Sequence, residues 1–378
     1  MLFGGYYAAI LIVIDFFPRF LKDFGYSDFE IGIAVMWYMF SCLLSQLVFG
    51  YLIDKFNISK QIIISVFIVM MAGFPLLFNF SDSRLFVTAF SIMAIGPWRS
   101  LGGVWDSWVA RLGDVDYGKA RAAGAIAYAV SAIVLGQAFA AMGNMGVVFS
   151  MAGIFIIILW VLSGTENPRR AGSIEKMTIR TAFTYFKGNR HFLFMLAGSS
   201  LSGVTLASVL TYLPILMAAI GGTQAELGIA LFIMGATDFL VMMQATGLKK
   251  RLGSVFLLIF GFFGFFAKNA AFAMSSHIWQ IYLFCMLQSV SIALVIPGMV
   301  LFLTERVDHR YLASALLVNQ SVTSISMMIA NPLCGLLSER LGVGMMLMIA
   351  GLPAFLAGML FLFMRKKLSI EPEVSIQL

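Results

Sequence analysis

Residues Gly50-Tyr51-Leu52-Ile53-Asp54-Lys55-Phe56-Asn57, with Lys60 close behind, make a short basic break between two apolar runs. A similar break, Gly247-Leu248-Lys249-Lys250-Arg251-Leu252-Gly253, begins 197 positions later and again ends an apolar run. Gly136 and Gly335, near the ends of two other apolar runs, are 199 positions apart. Spacings that agree this closely indicate a duplicated unit, and internal duplication is a recurrent way of building large helical membrane proteins.

Cut at its polar clusters, the whole chain resolves into twelve apolar segments, at about 3–22, 31–50, 61–80, 85–111, 118–140, 146–163, 191–218, 226–247, 254–274, 278–304, 312–334 and 344–364. Each is close to the ~20 residues that a helix needs to cross a bilayer. The 378 residues are 61% hydrophobic and 11% charged, whereas a soluble domain is ~25% charged. The predicted fold is therefore an all-α membrane protein, with twelve transmembrane helices in two pseudo-symmetric six-helix bundles. One long polar stretch, Gly164 to Arg190, divides the chain six plus six. This gives an N-terminal bundle over 1–163, a central loop over 164–190 and a C-terminal bundle over 191–378.

Orientation follows from the loops, because Lys and Arg near spanning helices are retained in the cytoplasm. With both termini cytoplasmic, the inside loops hold 19 of the 25 basic residues, and only Arg19, Lys22, Arg84 and Arg340 lie outside. The same bias accounts for the net charge of +7, so no nucleic-acid-binding patch is implied. The first apolar run lacks a basic lead and is expected to stay as a spanning helix rather than to be cleaved. Cys42, Cys285 and Cys334 all sit in apolar segments at no ligand spacing, so neither disulfides nor a metal site is expected.

The break at Gly50 to Asn57, with its Gly-x-Leu-x-Asp-Lys pattern, resembles the loop signature of the major facilitator superfamily between helices two and three. On that resemblance Gly50, Asp54 and Lys55 form a conformational loop motif. Gly50 permits close helix approach, Asp54 sits at the N-terminus of a neighbouring helix, and Asn57 tolerates a left-handed turn. A second stretch, Asp116-Tyr117-Gly118-Lys119-Ala120-Arg121-Ala122-Ala123-Gly124, resembles the start of helix five in the lactose permease and phenylpropionate permease branch. There the corresponding arginine binds sugar hydroxyls beside an acid late in helix four and a stacking aromatic. The resemblance implies substrate binding by Arg121, Asp106 and Tyr128, with Trp105 adjacent. Asp106 and Arg121 are also equally far from the centre of the intervening loop, at matched depth on a hairpin. The chain departs from that branch at its proton-coupling helix-ten positions, which fall at about Gln288 and Ser291, and at the helix-nine arginine, which falls at Lys268.

Ionisable residues in the hydrocarbon core cost ~2.5–3.5 kcal/mol each on insertion scales, so each is a functional candidate. Asp15, Arg99, Asp106, Asp238 and Lys268 qualify. Asp15 and Arg99 are at mid-depth and could pair directly, in substrate binding or coupling or as a structural pair; Asp238 and Lys268 read as a second, structural pair. Arg19, near the outer surface, is expected to snorkel. Asn319 and Gln320 of helix eleven, Gln244 of helix eight and Asn269 of helix nine could bind hydroxyls but are expected rather to bond between helices, and helix five, rich in Ala, Gly and Ser, to pack tightly on a neighbour.

Together these features point to a secondary transporter, not an enzyme. His191, His277 and His309 stand apart from any nucleophile or metal-ligand partner, and a channel would not require the duplication. The expectation is proton-coupled uptake of a small polar organic solute (sugar, nucleoside or aromatic carboxylate) by a monomer in a bacterial inner membrane, without a cofactor. Efflux of amphipathic compounds is the alternative. For the topology, a cysteine placed at Ser83 should react with an impermeant thiol reagent in intact cells and one at Ser173 should not; the reverse pattern would overturn the orientation.

Overall fold

A computed structural model describes residues 2–110, 117–165 and 186–368. Among them there is no strand. Twelve helical passages follow one another: α1 in three pieces (Leu2–Ile10, Leu11–Asp15, Phe17–Asp23), α2 Asp28–Phe56, α3 Ser59–Asn79, α4 in three pieces (Arg84–Phe90, Ser91–Ile95, Gly96–Ala110), α5 Tyr117–Met142 and α6 Asn144–Ser163 precede the 164–190 connection. After it come α7 Arg190–Ala219, α8 and α9 within the run Gln224–Ala273, α10 Ile278–Arg306, α11 His309–Leu341 and α12 Val343–Leu368. The α8–α9 break is at Gly253, whose φ of 73° leaves the helical region. Ten passages are long and apolar enough to cross a membrane as single helices. The other two are α8 and the segmented α1.

The interruptions in α1 and α4 have one cause. Leu11–Asp15 and Ser91–Ile95 are π-helical turns, and the Phe16 N–H reaches back five residues to the Leu11 carbonyl at 2.9 Å. Pro18 and Pro97 follow them. A proline ring clashes with the carbonyl four residues earlier, which is Ile14 in one case and Met93 in the other, each inside the widened turn. The extra residue per turn makes room for the ring, and such bulges recur at functional sites.

The duplication extends to local chemistry. Ser27 with Glu30 caps the start of α2, and Thr223 with Glu226 caps the start of α8, each as a reciprocal capping box. The α5–α6 and α11–α12 turns are made by Gly143 at φ 54° and Gly342 at φ 82°, left-handed positions that only glycine occupies without strain.

The C-terminal bundle is tied by a stripe along α7. Ser199, Ser202, Thr205, Ser208 and Thr211 are all buried and spaced by three residues. Ser199 donates to Asn319 of α11 at 2.8 Å, Thr205 to the Ala350 carbonyl of α12 at 2.8 Å, and Thr211 to Asn331 of α11 at 2.6 Å. Asn269 of α9 donates to Ser208 at 2.9 Å. Asn319 and Asn269 thus bond between helices as expected, in a setting where apolar burial cannot distinguish protein from lipid tails.

The two bundles meet at the end away from the 164–190 connection, along two glycine seams. A Cβ on Gly136 of α5 would lie 3.0 Å from the Gly228 Cα of α8, and one on Gly32 of α2 would lie 2.5 Å from the Asn331 carbonyl oxygen of α11. Gly335 of α11 packs on the backbone of Asp28 and Phe29. Polar contacts reinforce the seams: Ser338 donates to Asp28, the Phe29 N–H to Glu339 at 2.8 Å, and Tyr212 to the Asp28 carbonyl at 3.3 Å. Arg19, expected to snorkel, donates instead to the Gly222 carbonyl at 2.9 Å, because the α7–α8 turn comes within its reach. Near the 164–190 connection the situation is opposite. Nothing lies within 4 Å of where a Gly50 Cβ would sit, and Leu47 is 73% exposed whereas Ile31 at the other end of α2 is fully buried. The close approach expected at Gly50 is therefore absent in this conformation. Asn57 does adopt the left-handed turn, at φ 55°, and caps α2. Lys55 lies against Tyr51, donating to its hydroxyl at 3.0 Å, and the Asp54 side chain lies outside the described residues.

A direct check is to place cysteines at Asp28 and Ser338, in a chain whose buried Cys42, Cys285 and Cys334 are replaced. Because these two side chains are in hydrogen-bond contact, a short bifunctional thiol reagent should join the pair. A pair that stays unlinked would contradict the closed seam.

Candidate functional site

Asp15 ends the π turn of α1, and that turn sets its direction. The Tyr128 hydroxyl of α5 donates to its Oδ2 at 3.1 Å. Both side chains line a small cavity with about 30 Å³ of free space, whose other described walls are α7 and α8 of the C-terminal bundle. The Tyr128 ring is backed by that bundle too: a Cβ on Gly235 of α8 would meet its Cδ1 at 3.0 Å. Without a side chain at 235, α8 comes close enough to seat the ring against Asp15. The site thus lies where the two halves of the molecule touch.

Arg99 follows the π turn of α4, two residues after Pro97. It does not form the direct ion pair with Asp15 that its depth allows. Its guanidinium lies 5.9 Å from the centre of the Tyr38 ring of α2, a cation–π distance, and it acts on Asp15 through its field. In a low-dielectric interior such an interaction reaches well beyond contact.

The second pair is also rearranged. Lys268 of α9 is fully buried; its ammonium donates to Gln288 of α10 and lies 4.7 Å from the Phe265 ring centre. Asp238 of α8 acts on Lys268 electrostatically but is not its hydrogen-bond acceptor. Lys268 and Gln288, flagged in the sequence as departures from the permease pattern, are thus brought together. Ser291, the third departure, donates to the Leu287 carbonyl within its own helix at 2.8 Å.

Trp105, placed beside the substrate by the sequence reading, is fully buried. Its ring packs 6.0 Å from Tyr6 and 6.2 Å from Trp108, inside the N-terminal bundle and away from the Asp15 cavity. Tyr128 reaches the cavity, yet its described partner is Asp15. The side chains of Asp106 and Arg121 lie outside the described residues. Sequence reasoning missed two groups: the clamp of Tyr212, Asn331 and Asp28 across the α2–α11 seam, and the α7 stripe. The stripe's three-residue spacing is visible in the sequence and was the available signal.

No curated protein matches this sequence. Among solved structures, a variant of the nucleoside transporter NupG is similar with a TM-score of 0.82 at 13% identity, covering 96% of this chain and 97% of that one. A bacterial homolog of the human lysosomal transporter Spinster, inward-facing and unoccupied, is similar with a TM-score of 0.75 at 10% identity, covering 97% and 95%. At these identities the likeness is one of fold. The family model of the Major Facilitator Superfamily matches residues 1–321, most of the chain, and together with the twelve helices and the transporter neighbours this places the protein: it belongs to the Major Facilitator Superfamily and is an integral membrane transporter.

Proposed function

We propose that the chain is a proton-coupled secondary transporter that takes up a small polar organic solute by alternating access, and that Asp15 is the protonated residue. The orientation is that read from the loops: both termini and the 164–190 connection face the cytoplasm of a bacterial cell, and the protein works as a monomer in its inner membrane. On that orientation the glycine seams close the outer face, and the conformation is the inward-facing one.

The observation that carries the reading is the Tyr128–Asp15 hydrogen bond at the junction of the bundles. A carboxylate there is held by one hydroxyl donor and by the field of Arg99. Hydrogen bonding and a nearby cation favour its charged form, and loss of water favours its neutral form. Gly235 of α8 backs the Tyr128 ring, so movement of the C-terminal bundle changes the first of these directly. Coupling then needs no proton carrier at Gln288 or Ser291. Arg121 and Asp106 retain the substrate-binding role that the helix-five resemblance implies. Asp238 and Lys268 serve as a structural charge cluster of α8, α9 and α10.

Sugars, nucleosides and aromatic carboxylates are the solute classes of this reading; NupG, a nucleoside transporter by name, supports the second by fold alone. Efflux of amphipathic compounds is the alternative reading, supported by the apolar character of the α7 and α8 walls.

Asp15→Asn mimics the protonated form. In proteoliposomes it should abolish accumulation against a gradient while sparing exchange of solute across the membrane. Accumulation that survives Asp15→Asn and is lost in Asp238→Asn would move coupling to the C-terminal bundle.

A further inference from the structure

The charge clusters around Asp15 and Lys268 belong to different bundles, yet Tyr128 joins them. Resting on the reading that Asp15 carries the coupled proton, we infer that Asp238, offset by Lys268, is a positioning residue for that proton: across the bundle junction and through Tyr128, it sets the pH at which Asp15 gains and loses it.

The joint is first a matter of geometry. Leu231 and Met234 of α8 line the Asp15 cavity, and Gly235 brings α8 against the Tyr128 ring, where a Cβ would meet Cδ1 at 3.0 Å. Positions 231, 234, 235 and 238 follow the i, i+3, i+4, i+7 spacing of one helix face, so Asp238 is carried on the face that abuts Tyr128. Its charge acts on the Tyr128 hydroxyl, and that hydroxyl donates to Asp15 at 3.1 Å. Asp238 also acts on Lys268, which is fully buried and donates to Gln288 of α10.

The groups that face Asp15 come from several elements. Arg99 of α4 and the Tyr128 hydroxyl of α5 act on it directly, and Asp15 in turn acts on Tyr38 of α2. The described α7 and α8 residues that line the cavity are uncharged. Cys285 of α10 acts on both Tyr128 and Lys268, and the Arg121 side chain, on α5, lies outside the described residues. A negative neighbour favours the protonated form of an acid, and a positive one favours the charged form. Arg99 is in the same bundle as Asp15, whereas Asp238 and Lys268 are in the other. Separation of the bundles therefore changes the contribution of Asp238 and leaves that of Arg99. Alternating access then acts on Asp15 by a second route, besides the Tyr128 hydrogen bond.

The test is a pH titration of the full chain in lipid nanodiscs, followed by the infrared carbonyl stretch of protonated carboxyl groups. The component missing from Asp15→Asn belongs to Asp15, and its midpoint is the readout. Asp238→Asn removes a negative neighbour, so the midpoint should fall, by on the order of one pH unit. Lys268→Gln removes the offset, and the midpoint should rise. Asp238→Glu keeps the charge and should keep the midpoint near that of the natural chain. The double variant of Asp238→Asn with Lys268→Gln strands no charge of this pair in the membrane. Its midpoint should fall between those of the two single variants, still below the natural chain, because α8, which carries Asp238, packs on Tyr128. A purely structural role would lower the folded yield without opposite shifts in the single variants. A midpoint unmoved in both Asp238→Asn and the double variant, or no component lost in Asp15→Asn, would overturn the inference. Proton coupling fails separately: a chain that shows these shifts while its transport of radiolabelled lactose, uridine or phenylpropionate ignores an imposed pH gradient would refute coupling and leave the linkage standing.

Discussion

A carboxylate at the middle of a bilayer has to be held by the protein itself, and Asp15 is held by very little. Lipid offers it no hydrogen bond, and insertion of an acid at mid-helix costs ~2.5–3.5 kcal/mol. Its described support is one phenol hydroxyl at 3.1 Å and the charge of Arg99, whose guanidinium faces the Tyr38 ring. Tight ion pairing would have made a stable structural unit. The looser arrangement leaves the charge sensitive to the position of Tyr128, and that position depends on the other bundle.

The rest of the architecture serves this placement. π turns beside Asp15 and Arg99, each followed by a proline, Pro18 or Pro97, redirect both charges relative to a regular helix. Gly235 lets α8 reach the Tyr128 ring, and Gly136, Gly228, Gly32 and Gly335 let the bundles close at one end. By contrast, the α7 stripe, Asn269 and Asn319 make their described hydrogen bonds inside the C-terminal bundle.

The helical architecture was legible because its signals are long-range averages. Twelve apolar runs, two glycine landmarks and the basic breaks survive errors of several residues at any boundary. The left-handed turn at Asn57 was legible for a local reason: few residues other than glycine accept that conformation. Side-chain partnerships were not. Depth along a helix placed Asp15 near Arg99 and Asp238 near Lys268, but it carries no information about rotation about the helix axis, and the π turns alter that rotation. Tyr38 and Gln288 took the contacts instead. Trp105, next to Asp106 in sequence, packs on Tyr6 and Trp108. Gly50 makes no close approach in this conformation.

The central claim is that Asp15 changes protonation when solute binds. Infrared difference spectroscopy reads this directly, through the carbonyl stretch of a protonated carboxyl group in the membrane-embedded protein. On addition of a transported solute the natural chain should show a carboxyl difference band that is absent in Asp15→Asn and retained in Asp238→Asn. A band that persists in Asp15→Asn and vanishes in Asp238→Asn would contradict the account.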